Sequence, residues 1–444
     1  MKFRKFGKAL LMGALSAGVV LGVSSCIQSY SVGYLYVTGT STSQSSGNGI
    51  ISGFKIDHNT GKLTSIAGLP VSSGGANPVR ALMLSGGRFL YVLNRGANAQ
   101  GGSVCTTANP CQNSNITQFA VGGNGVLTPQ ETFYTQGINP FRIIGDTSGN
   151  YIYVLDHDSP ASASCALALG SSATACGDIT VFQVNPTTGR LQLVVNAAVT
   201  AANGAALTYF PVPANPIDFV MASGYVLTMS GTSTTGDSIF PYTQNGTSGQ
   251  LTVNQNTAQP LNIHQGTALV SAGGYLYILD NESVTITNNA SFSNGTYPSQ
   301  ILPFSVGTGG ALQAQTGGAV PDDATLSNPI YMLVESKGKF VYVANQGNNT
   351  DPTNSQSGIA GYVIDPSSHQ LSFDPGEPFG TGAGPQCIVE DPSNQFIYTA
   401  NYNDSTITGR LVDPNAGVLN NLHSTSSWTL TGQPTWCLVT GRTS

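Results

Sequence analysis

The chain has 444 residues, only 8% of which are charged, and its 15 basic and 21 acidic residues give a formal net charge of −6. Four of the basic residues lie within the first eight positions, so the rest of the chain carries 11 basic and 21 acidic residues. Binding to a nucleic-acid backbone needs clustered Lys and Arg, and this composition excludes it. Abundant Gly, Ser, Thr and Asn disfavour helices and favour short strands joined by tight turns.

The first 25 residues have the pattern of an export signal. Their basic start precedes an apolar run from Ala9 to about Val23, which is too short and wrongly flanked for a membrane-spanning helix. The run ends in Val-Ser-Ser-Cys, which resembles the bacterial lipobox and predicts lipidation of Cys26. The alternative is a plain signal peptide with a chance cysteine.

This pattern predicts three regions: a lipoprotein signal at 1–25, a short anchor linker at 26–32 and one exported domain at 33–444. Two or more acyl chains give durable membrane anchoring, whereas one chain does not. We therefore expect a protein that is lipid-anchored to the bacterial cell envelope, at the outer membrane, on its periplasmic side or at the cell surface. The anchor is then its contact with the membrane.

Three sequence elements recur after position 33. The first is an alternating apolar strand that ends in a small polar residue, at 34–39, 89–94, 151–156, 225–230, 275–280, 340–345 and 396–401. The second is a polar turn followed by Leu, at Leu63, Leu127, Leu191, Leu251, Leu312, Leu371 and Leu419. The third precedes the apolar strand and contains proline, at Pro78, Pro140, Pro216, Pro329, Pro385 and Pro434. The fifth repeat has His264-Gln265 in place of this third element.

Each repeat predicts four strands: strand A after the proline, strand B in the apolar segment, and strands C and D on either side of the turn. Units of roughly 50–75 residues with four strands and Gly-rich turns are typical of β-propeller blades. The domain begins with a B strand and ends with an A strand at 435–440. The sequence therefore predicts an all-β fold, a single seven-bladed β-propeller with four antiparallel strands per blade, whose C-terminal strand completes the first blade and removes open sheet edges.

The Tyr-Val-rich strands, the Asp-x-x-Thr-Gly-x-Leu turns and the Asn-Pro segments resemble the seven-bladed lactonase family. That family includes 6-phosphogluconolactonase-like and cycloisomerase-like propellers and overlaps the Tyr-Val-Thr-Asn repeat proteins. The resemblance covers about residues 33–444 and implies a lactonase-type hydrolase. Many members carry Arg-His after the strand A proline, and this sequence has no histidine at that place.

Five residues are candidates for a catalytic site. Strands A and B are antiparallel, so the start of A and the end of B lie on one rim of the ring. Arg80, Arg142 and Asp218 are each the second residue after a strand A proline, so they are expected near the mouth of the channel. His157 and Glu282 follow B strands and are expected on the same rim. Lactone opening needs a cation or donor for the oxyanion and a base to deliver water. We expect the two arginines to polarise and orient a carboxylated lactone, and Asp218, His157 or Glu282 to act as the base.

Structural roles remain open for the same residues. Arg80, Arg142 and Asp218 are also compatible with a buried ion network, because buried charges have to be paired. As an alternative to acting as the base, His157 forms hydrogen bonds within its loop. Zinc-ligand spacing, an EF-hand loop and a glycine-rich phosphate loop are absent from the sequence, so neither a metal ion nor a cofactor is expected.

Six cysteines remain besides Cys26, an even number that suits an oxidising compartment. Two local pairs, each within one B–C loop, are the simplest connectivity: Cys105–Cys111 and Cys165–Cys176. Cys387 and Cys437 lie on the A strands of blades seven and one, offset by one residue relative to the proline. Side chains alternate across a strand, so this offset turns them to opposite faces, as a bridge between neighbouring blades requires. We expect that third disulfide, with two free buried thiols as the alternative.

Two functions are compatible with these features. One is hydrolysis of a lactone or sugar-acid lactone at the rim of the channel. The other is non-catalytic binding, in which the loop-rich rim presents a scaffold to a glycan, a protein or a small metabolite of the cell envelope. In both cases the ligand is a small molecule or a cell-envelope component on that rim, nucleic acid is excluded, and the protein is expected to be a monomer.

Overall fold

The computed structural model describes residues 30–41, 48–84, 86–99, 105–201, 203–253, 258–289, 291–348 and 356–441. The predicted signal at 1–25 and the predicted lipidation site, Cys26, lie outside the described residues.

The described chain forms seven antiparallel blades around a central channel, as the repeats predict. In each blade the hydrogen-bonded order is A-B-C-D from the channel outward. The A strands of blades one to seven are Gly432–Gly441, Pro78–Met83, Ile138–Gly145, Pro216–Ala222, Gly266–Ala272, Pro329–Val334 and Pro385–Glu390. The B strands are Ser31–Ser41, Phe89–Asn94, Tyr151–Asp158, Tyr225–Thr232, Tyr275–Asp280, Phe340–Asn345 and Phe396–Asn401.

The outer strands follow the polar turns. The C strands of blades one to seven are Asn48–Asp57, Asn115–Val121, Cys176–Val184, Gly236–Gln244, Gln300–Val306, Gly358–Ile364 and Thr406–Val412. The D strands are Leu63–Ser65, Leu127–Phe133, Leu191–Leu193, Leu251–Val253, Leu312–Ala314, Leu371–Phe373 and Leu419–Asn421. Five blades add a short segment that pairs with strand C: Val71–Ala76, Phe210–Pro213, Gln259–Pro260, Val320–Pro321 and Ser427–Thr429.

Ring closure follows the prediction. The C-terminal strand Gly432–Gly441 pairs antiparallel with Ser31–Ser41, with Val37 opposite Cys437. The first blade is thus built from the two ends of the domain. Every blade therefore packs between two neighbouring blades, and the ring is closed.

The Asn-Pro segments set the turn into strand A. Asn77, Asn139, Asn215 and Asn328 all have positive φ, between 51° and 60°, a conformation that asparagine adopts more readily than most residues. Gly384 takes the same conformation before the proline of blade seven. The Asn77 side chain also donates to the carbonyl oxygen of Gly96 at 2.6 Å, which joins the start of strand A to the end of strand B.

Tyrosines of the B strands tie four of the blades to the next one. Tyr36 in blade one donates to the carbonyl oxygen of Gly125 in the C–D turn of blade two at 2.7 Å. Equivalent bonds join Tyr91 to Gly189, Tyr342 to Gly417 and, across the closure of the ring, Tyr398 to Gly61. Gly61 has φ of 66°, and a Cβ atom there would lie 2.5 Å from the Phe396 ring. These bonds explain both the Tyr of the B strand and the Gly of the turn.

Two B–C loops contain secondary structure that the sequence analysis did not identify. The loop of blade three carries a helix, α1, at Ser162–Leu169, and that of blade five carries a hairpin formed by Val284–Ile286 and Gly295–Tyr297. A single 3-10 turn, Thr308–Gly310, lies between strands C and D of blade five. Both insertions lie at the ends of B strands, on the same rim as the start of the A strands.

Candidate active site

The seven A strands enclose a cavity of 550 Å³ along the axis of the ring. This volume is within the range of sites that hold small organic ligands. Arg80, Arg142 and Asp218 line it, so the structure brings these three predicted residues together. They are the second residues after the strand A prolines of blades two, three and four.

This position forms one layer of the ring of A strands, which we call the first layer, and five of its seven residues line the cavity. In blades one to seven it holds Trp436, Arg80, Arg142, Asp218, Ala268, Tyr331 and Cys387. Each of these residues follows a register shift, so that Arg80 lies opposite Leu93 and Arg142 opposite Leu155 on the neighbouring B strands. The charged residues fall in three adjacent blades, and the remaining four positions are uncharged.

Arg142 and Asp218 form an ion pair within the first layer. Arg142 Nε donates to Asp218 Oδ1 at 3.0 Å. The backbone N–H of Phe219 also donates to Oδ1, and the N–H of Leu269 in blade five donates to Oδ2, each at 2.9 Å. Asp218 thereby joins blades three, four and five, and it lies in the cavity wall with one hydrogen bond on Oδ2.

Arg80 takes no part in that ion pair. Its guanidinium carbon lies 3.7 Å from the centroid of the Trp436 ring, a cation–π stack. Tyr331 makes a T-shaped contact with Trp436, with 4.8 Å between the two ring centroids. Within the part of the chain that the structure describes, no hydrogen-bond acceptor or carboxylate partners the Arg80 guanidinium. The predicted ion network therefore includes Arg142 and Asp218 and leaves Arg80 available to a ligand.

Further cationic charge reinforces this end of the cavity. Burial and the positive charge of Arg142 lower the pKa of Arg80 to about 9, opposed by Asp218 and Tyr331. Burial, and then Arg142, also lower the pKa of Arg95, which follows strand B of blade two. Arg95 Nε is buried without a hydrogen-bond partner among the described residues. Arg142 thus raises the free energy of two other cations in a region of low dielectric, and an anion bound at Arg80 is stabilised.

A second layer of the wall is entirely aliphatic. Two residues beyond the first layer along each A strand, side chains on the same face form what we call the aliphatic ring. In blades one to seven it consists of Leu438, Leu82, Ile144, Val220, Val270, Leu333 and Val389, all lining the cavity. The sequence analysis missed it, although the signal was present, because the fourth residue after every strand A proline is Leu, Ile or Val.

The structure places His157 outside the cavity wall. Its Nδ1 lies 3.1 Å from Asp158 Oδ2, and its side chain is 37% exposed. Asp158 also accepts bonds from Asn139 at 2.9 Å and from Thr107 at 2.8 Å. His157 and Asp158 thus connect the loops of blades two and three, and Arg142, rather than His157, lines the cavity beside them.

Glu282 is likewise absent from the residues that line the cavity. It pairs with His264, with 3.3 Å between Glu282 Oε1 and His264 Nδ1, on the rim of blade five. Burial raises the pKa of the neighbouring Asp280 to about 6, and the negative charge of Glu282 adds to this effect. This group is separate from the first layer, whose only blade five residue is Ala268.

The structure contains the three expected disulfides. Cys105–Cys111 closes part of the B–C loop of blade two, and Cys165–Cys176 links helix α1 to strand C of blade three. Cys387–Cys437 joins the A strands of blades seven and one, with 5.8 Å between the Cα atoms. It lies next to Trp436, so it holds the aromatic part of the first layer in place.

The described residues contain neither a candidate metal site nor a candidate membrane-spanning helix. No group of three or more His, Cys, Asp or Glu side chains in those ranges has an arrangement that could hold a metal ion. No helix in the same ranges has the length and apolar character needed to cross a membrane.

Comparison with known proteins identifies relatives of the chain. The family described as "Lactonase, 7-bladed beta-propeller" matches residues 48–207 and 297–435, which is well over half of the chain. No curated protein sequence gives a significant match.

Solved structures of similar fold come from several bacteria. A putative 6-phosphogluconolactonase from Bacteroides fragilis is 16% identical, with a TM-score of 0.63 over 92% of this chain and 98% of that one. The periplasmic gluconolactonase PpgL of Pseudomonas aeruginosa is 16% identical, with a TM-score of 0.61 over 92% of this chain and 99% of that one. At such low identity these structures establish the shared fold. The family match, the seven blades and the ring closure together show that the chain belongs to the seven-bladed β-propeller lactonase family.

Proposed function

We propose that this protein hydrolyses a lactone at the end of the central cavity formed by the first layer. The observation that carries the proposal is the state of Arg80, whose guanidinium faces the cavity, stacks on Trp436 and has no ionic partner among the described residues. Asp218 supplies a carboxylate in the same layer, held by Arg142. A free cation and an oriented carboxylate are the two groups that lactone hydrolysis requires.

The reaction then follows from these positions. Asp218 Oδ2 accepts a proton from a water molecule whose oxygen attacks the carbonyl carbon of the lactone. Arg80 donates hydrogen bonds to the oxyanion that forms, and Arg142 holds Asp218 in orientation. The bond between the carbonyl carbon and the ring oxygen breaks, and the ring oxygen takes the proton that Asp218 holds, which regenerates the base. The product leaves as a hydroxy acid, whose carboxyl group ionises and releases one proton to the solvent. His157 and Glu282 lie outside the cavity wall, so Asp218 is the base that we propose.

Hydrolysis of a panel of γ- and δ-lactones by the purified domain, followed as acid release in a pH-stat, tests this proposal. Asp218→Asn should lower kcat by about 100-fold or more, since removal of a general base typically costs 10²–10⁴. Arg80→Gln should lower kcat/KM by a similar factor. Asp413→Asn is the matched control. Asp413 accepts backbone hydrogen bonds in an exposed turn, and Asn185 accepts the same bonds in the equivalent turn of blade three.

Two results would count against the mechanism. If Asp218→Asn keeps full activity, the base is another residue. If none of the lactones is hydrolysed but small carboxylates bind at Arg80, the protein is a binding protein and the non-catalytic alternative applies.

We also propose that the protein acts outside the cytoplasm as a lipid-anchored monomer on the bacterial cell envelope. Three disulfides support export, because such bonds persist in oxidising compartments. Lipidation of Cys26 and placement at the outer membrane rest on the Val-Ser-Ser-Cys segment. Cys26→Ser should release the protein from the membrane fraction of a bacterial host. Retention of the variant in that fraction would contradict lipidation, and sedimentation of the domain as a dimer would contradict the monomer.

A further inference from the structure

The composition of the cavity wall limits the class of molecule that the site can hold. In the first layer the charged side chains occupy blades two to four, and the aromatic side chains of Trp436 and Tyr331 come from blades one and six. Immediately beyond, the aliphatic ring surrounds the channel on all seven sides. One end of the cavity therefore offers charge and an aromatic surface, and the adjoining space offers hydrocarbon.

Few polar groups are available beyond the first layer. Among the lining residues past that layer, only Ser271 and Glu390 carry polar side chains. Glu390 already accepts a hydrogen bond from the backbone N–H of Ser336 at 2.9 Å. Two such groups cannot partner the several hydroxyl groups of a sugar acid, and a buried hydroxyl without a partner costs free energy.

The aromatic part of the first layer is rigid. Trp436 contacts both the Arg80 guanidinium and the Tyr331 ring, and the neighbouring Cys437 is bonded to Cys387 in blade seven. A rigid apolar surface loses little conformational entropy when a ligand packs on it, so it favours an apolar portion of the ligand near the carboxylate.

We propose that the cavity binds amphipathic organic acids and lactones, with the anionic or carbonyl group at Arg80 and a hydrocarbon chain or ring inside the aliphatic ring. This inference rests on the proposed function for the location of the site and narrows its substrate class. Lactones that carry a hydrocarbon substituent are then the substrates, and polyhydroxylated or phosphorylated sugar lactones are poor ones.

Unreactive carboxylates test the inference without any hydrolysis. The chain has two tryptophans, and Trp428 lies outside the cavity wall, so Trp428→Phe leaves Trp436 as the single fluorescent reporter. Butyrate, hexanoate and octanoate are titrated against gluconate, which has the same six carbons as hexanoate but five hydroxyl groups. Calorimetry follows the same titrations if the emission of Trp436 does not change.

The affinity should rise about threefold to fourfold with each methylene group that enters the aliphatic ring. Hexanoate should bind at least tenfold more tightly than gluconate. Arg80→Gln should lower the affinity for all of these acids more than tenfold, and the dependence of affinity on chain length should remain. Arg88 is exposed, so Arg88→Gln should not change these affinities.

The aliphatic ring itself is tested with a volume-conserving change. The double variant Val270→Thr, Val389→Thr should lower the affinity for octanoate at least fivefold and change the affinity for butyrate little. The control is Val195→Thr, because Val195 lies on the outer surface. Affinity that does not increase from butyrate to octanoate, or gluconate bound as tightly as hexanoate, would overturn the inference. Chain-length dependence without lactone hydrolysis would instead leave the inference standing and refute only the proposed function.

Discussion

Arg80 and Arg142 occupy the same position in neighbouring blades, and their surroundings give them different roles. Arg142 lies beside Asp218 and forms an ion pair with it. Arg80 lies beside Trp436, on the opposite side from Asp218, and stacks on the indole. Which neighbour an arginine meets depends on the order of the blades around the ring. The sequence places both residues in the first layer, but it does not show which of them remains free.

This difference predicts unequal effects on stability. Arg142→Gln should lower the free energy of unfolding by about 1–3 kcal/mol, because Asp218 loses a charged partner in a largely buried position. Arg80→Gln should lower it by less than about 1 kcal/mol, because only the stack on Trp436 is lost. Denaturant unfolding of both variants measures the difference, and equal losses would contradict the separate roles of the two arginines.

At the scale of one blade, the last residue of strand B pairs with the first residues of strand C in a buried polar cluster. In blade two Asn94 donates to Asn115 Oδ1 at 2.9 Å. In blade seven the side-chain amide of Asn401 donates hydrogen bonds to the hydroxyl groups of Thr406 and Thr408. In blade three, where strands B and C both extend further, the equivalent positions hold two carboxyl groups, since Asp156 lies opposite Asp178. Burial raises the pKa of Asp156, and burial together with Asp156 raises that of Asp178.

The raised pKa values of this pair predict a stability that depends on pH. The folded state holds protons that the unfolded chain releases near pH 4, so folding is favoured at low pH. Stability is lost as the pH rises from about 4 through the pKa of Asp156, about 7. Asp178→Asn should flatten this decline and raise the free energy of unfolding at pH 7 by more than about 1 kcal/mol.

Thermal unfolding of the parent domain and of Asp178→Asn across pH 4–8 measures this effect. Asp365→Asn is the control, because backbone and hydroxyl hydrogen bonds from Ser368 lower the pKa of that exposed carboxyl group. A parent domain whose stability is constant or increasing over this range would refute the prediction for the buried pair.

The blade pattern also shows what could be predicted from the sequence. Strands, turns and the pairing of Cys387 with Cys437 follow from local spacing and side-chain alternation, and the structure has all of them. The helix Ser162–Leu169 and the pairing of Glu282 with His264 lie in long loops, where no repeat constrains the chain. His157 and its partner Asp158 lie where the B strand of blade three extends past the repeated segment 151–156. The residues of the aliphatic ring occur at a constant spacing after each strand A proline. That they form a ring is seen only in the fold, where the seven A strands surround one axis.

For the whole molecule, closure of the ring depends on contacts between the two ends of the domain. Strand Gly432–Gly441 pairs with Ser31–Ser41, Tyr398 donates to Gly61 across the same boundary, and Cys387–Cys437 adds a covalent bond. The disulfide spans 50 residues of sequence. Constraint of a loop of this length in the unfolded chain stabilises the fold by about 4 kcal/mol on the chain-entropy model.

Removal of that disulfide should therefore weaken closure. The double variant Cys387→Ala, Cys437→Ala should lose roughly 2–4 kcal/mol of unfolding free energy, and the emission of Trp436 should shift because its neighbour is no longer fixed. Removal of the local pair Cys105–Cys111 is the control, since it closes a far shorter loop. Mass mapping of the unreduced parent should recover the peptides of Cys387 and Cys437 linked, and recovery of both as free thiols would contradict this assignment.

Both proposals require that an organic anion binds in the channel between Arg80 and the aliphatic ring. A crystal structure of the domain soaked with octanoate tests it most directly. We expect a carboxylate within hydrogen-bonding distance of the Arg80 guanidinium, beside the Trp436 ring, with the alkyl chain extending past Leu82 and Leu438. An empty channel at saturating octanoate, or octanoate bound elsewhere on the propeller, would contradict it.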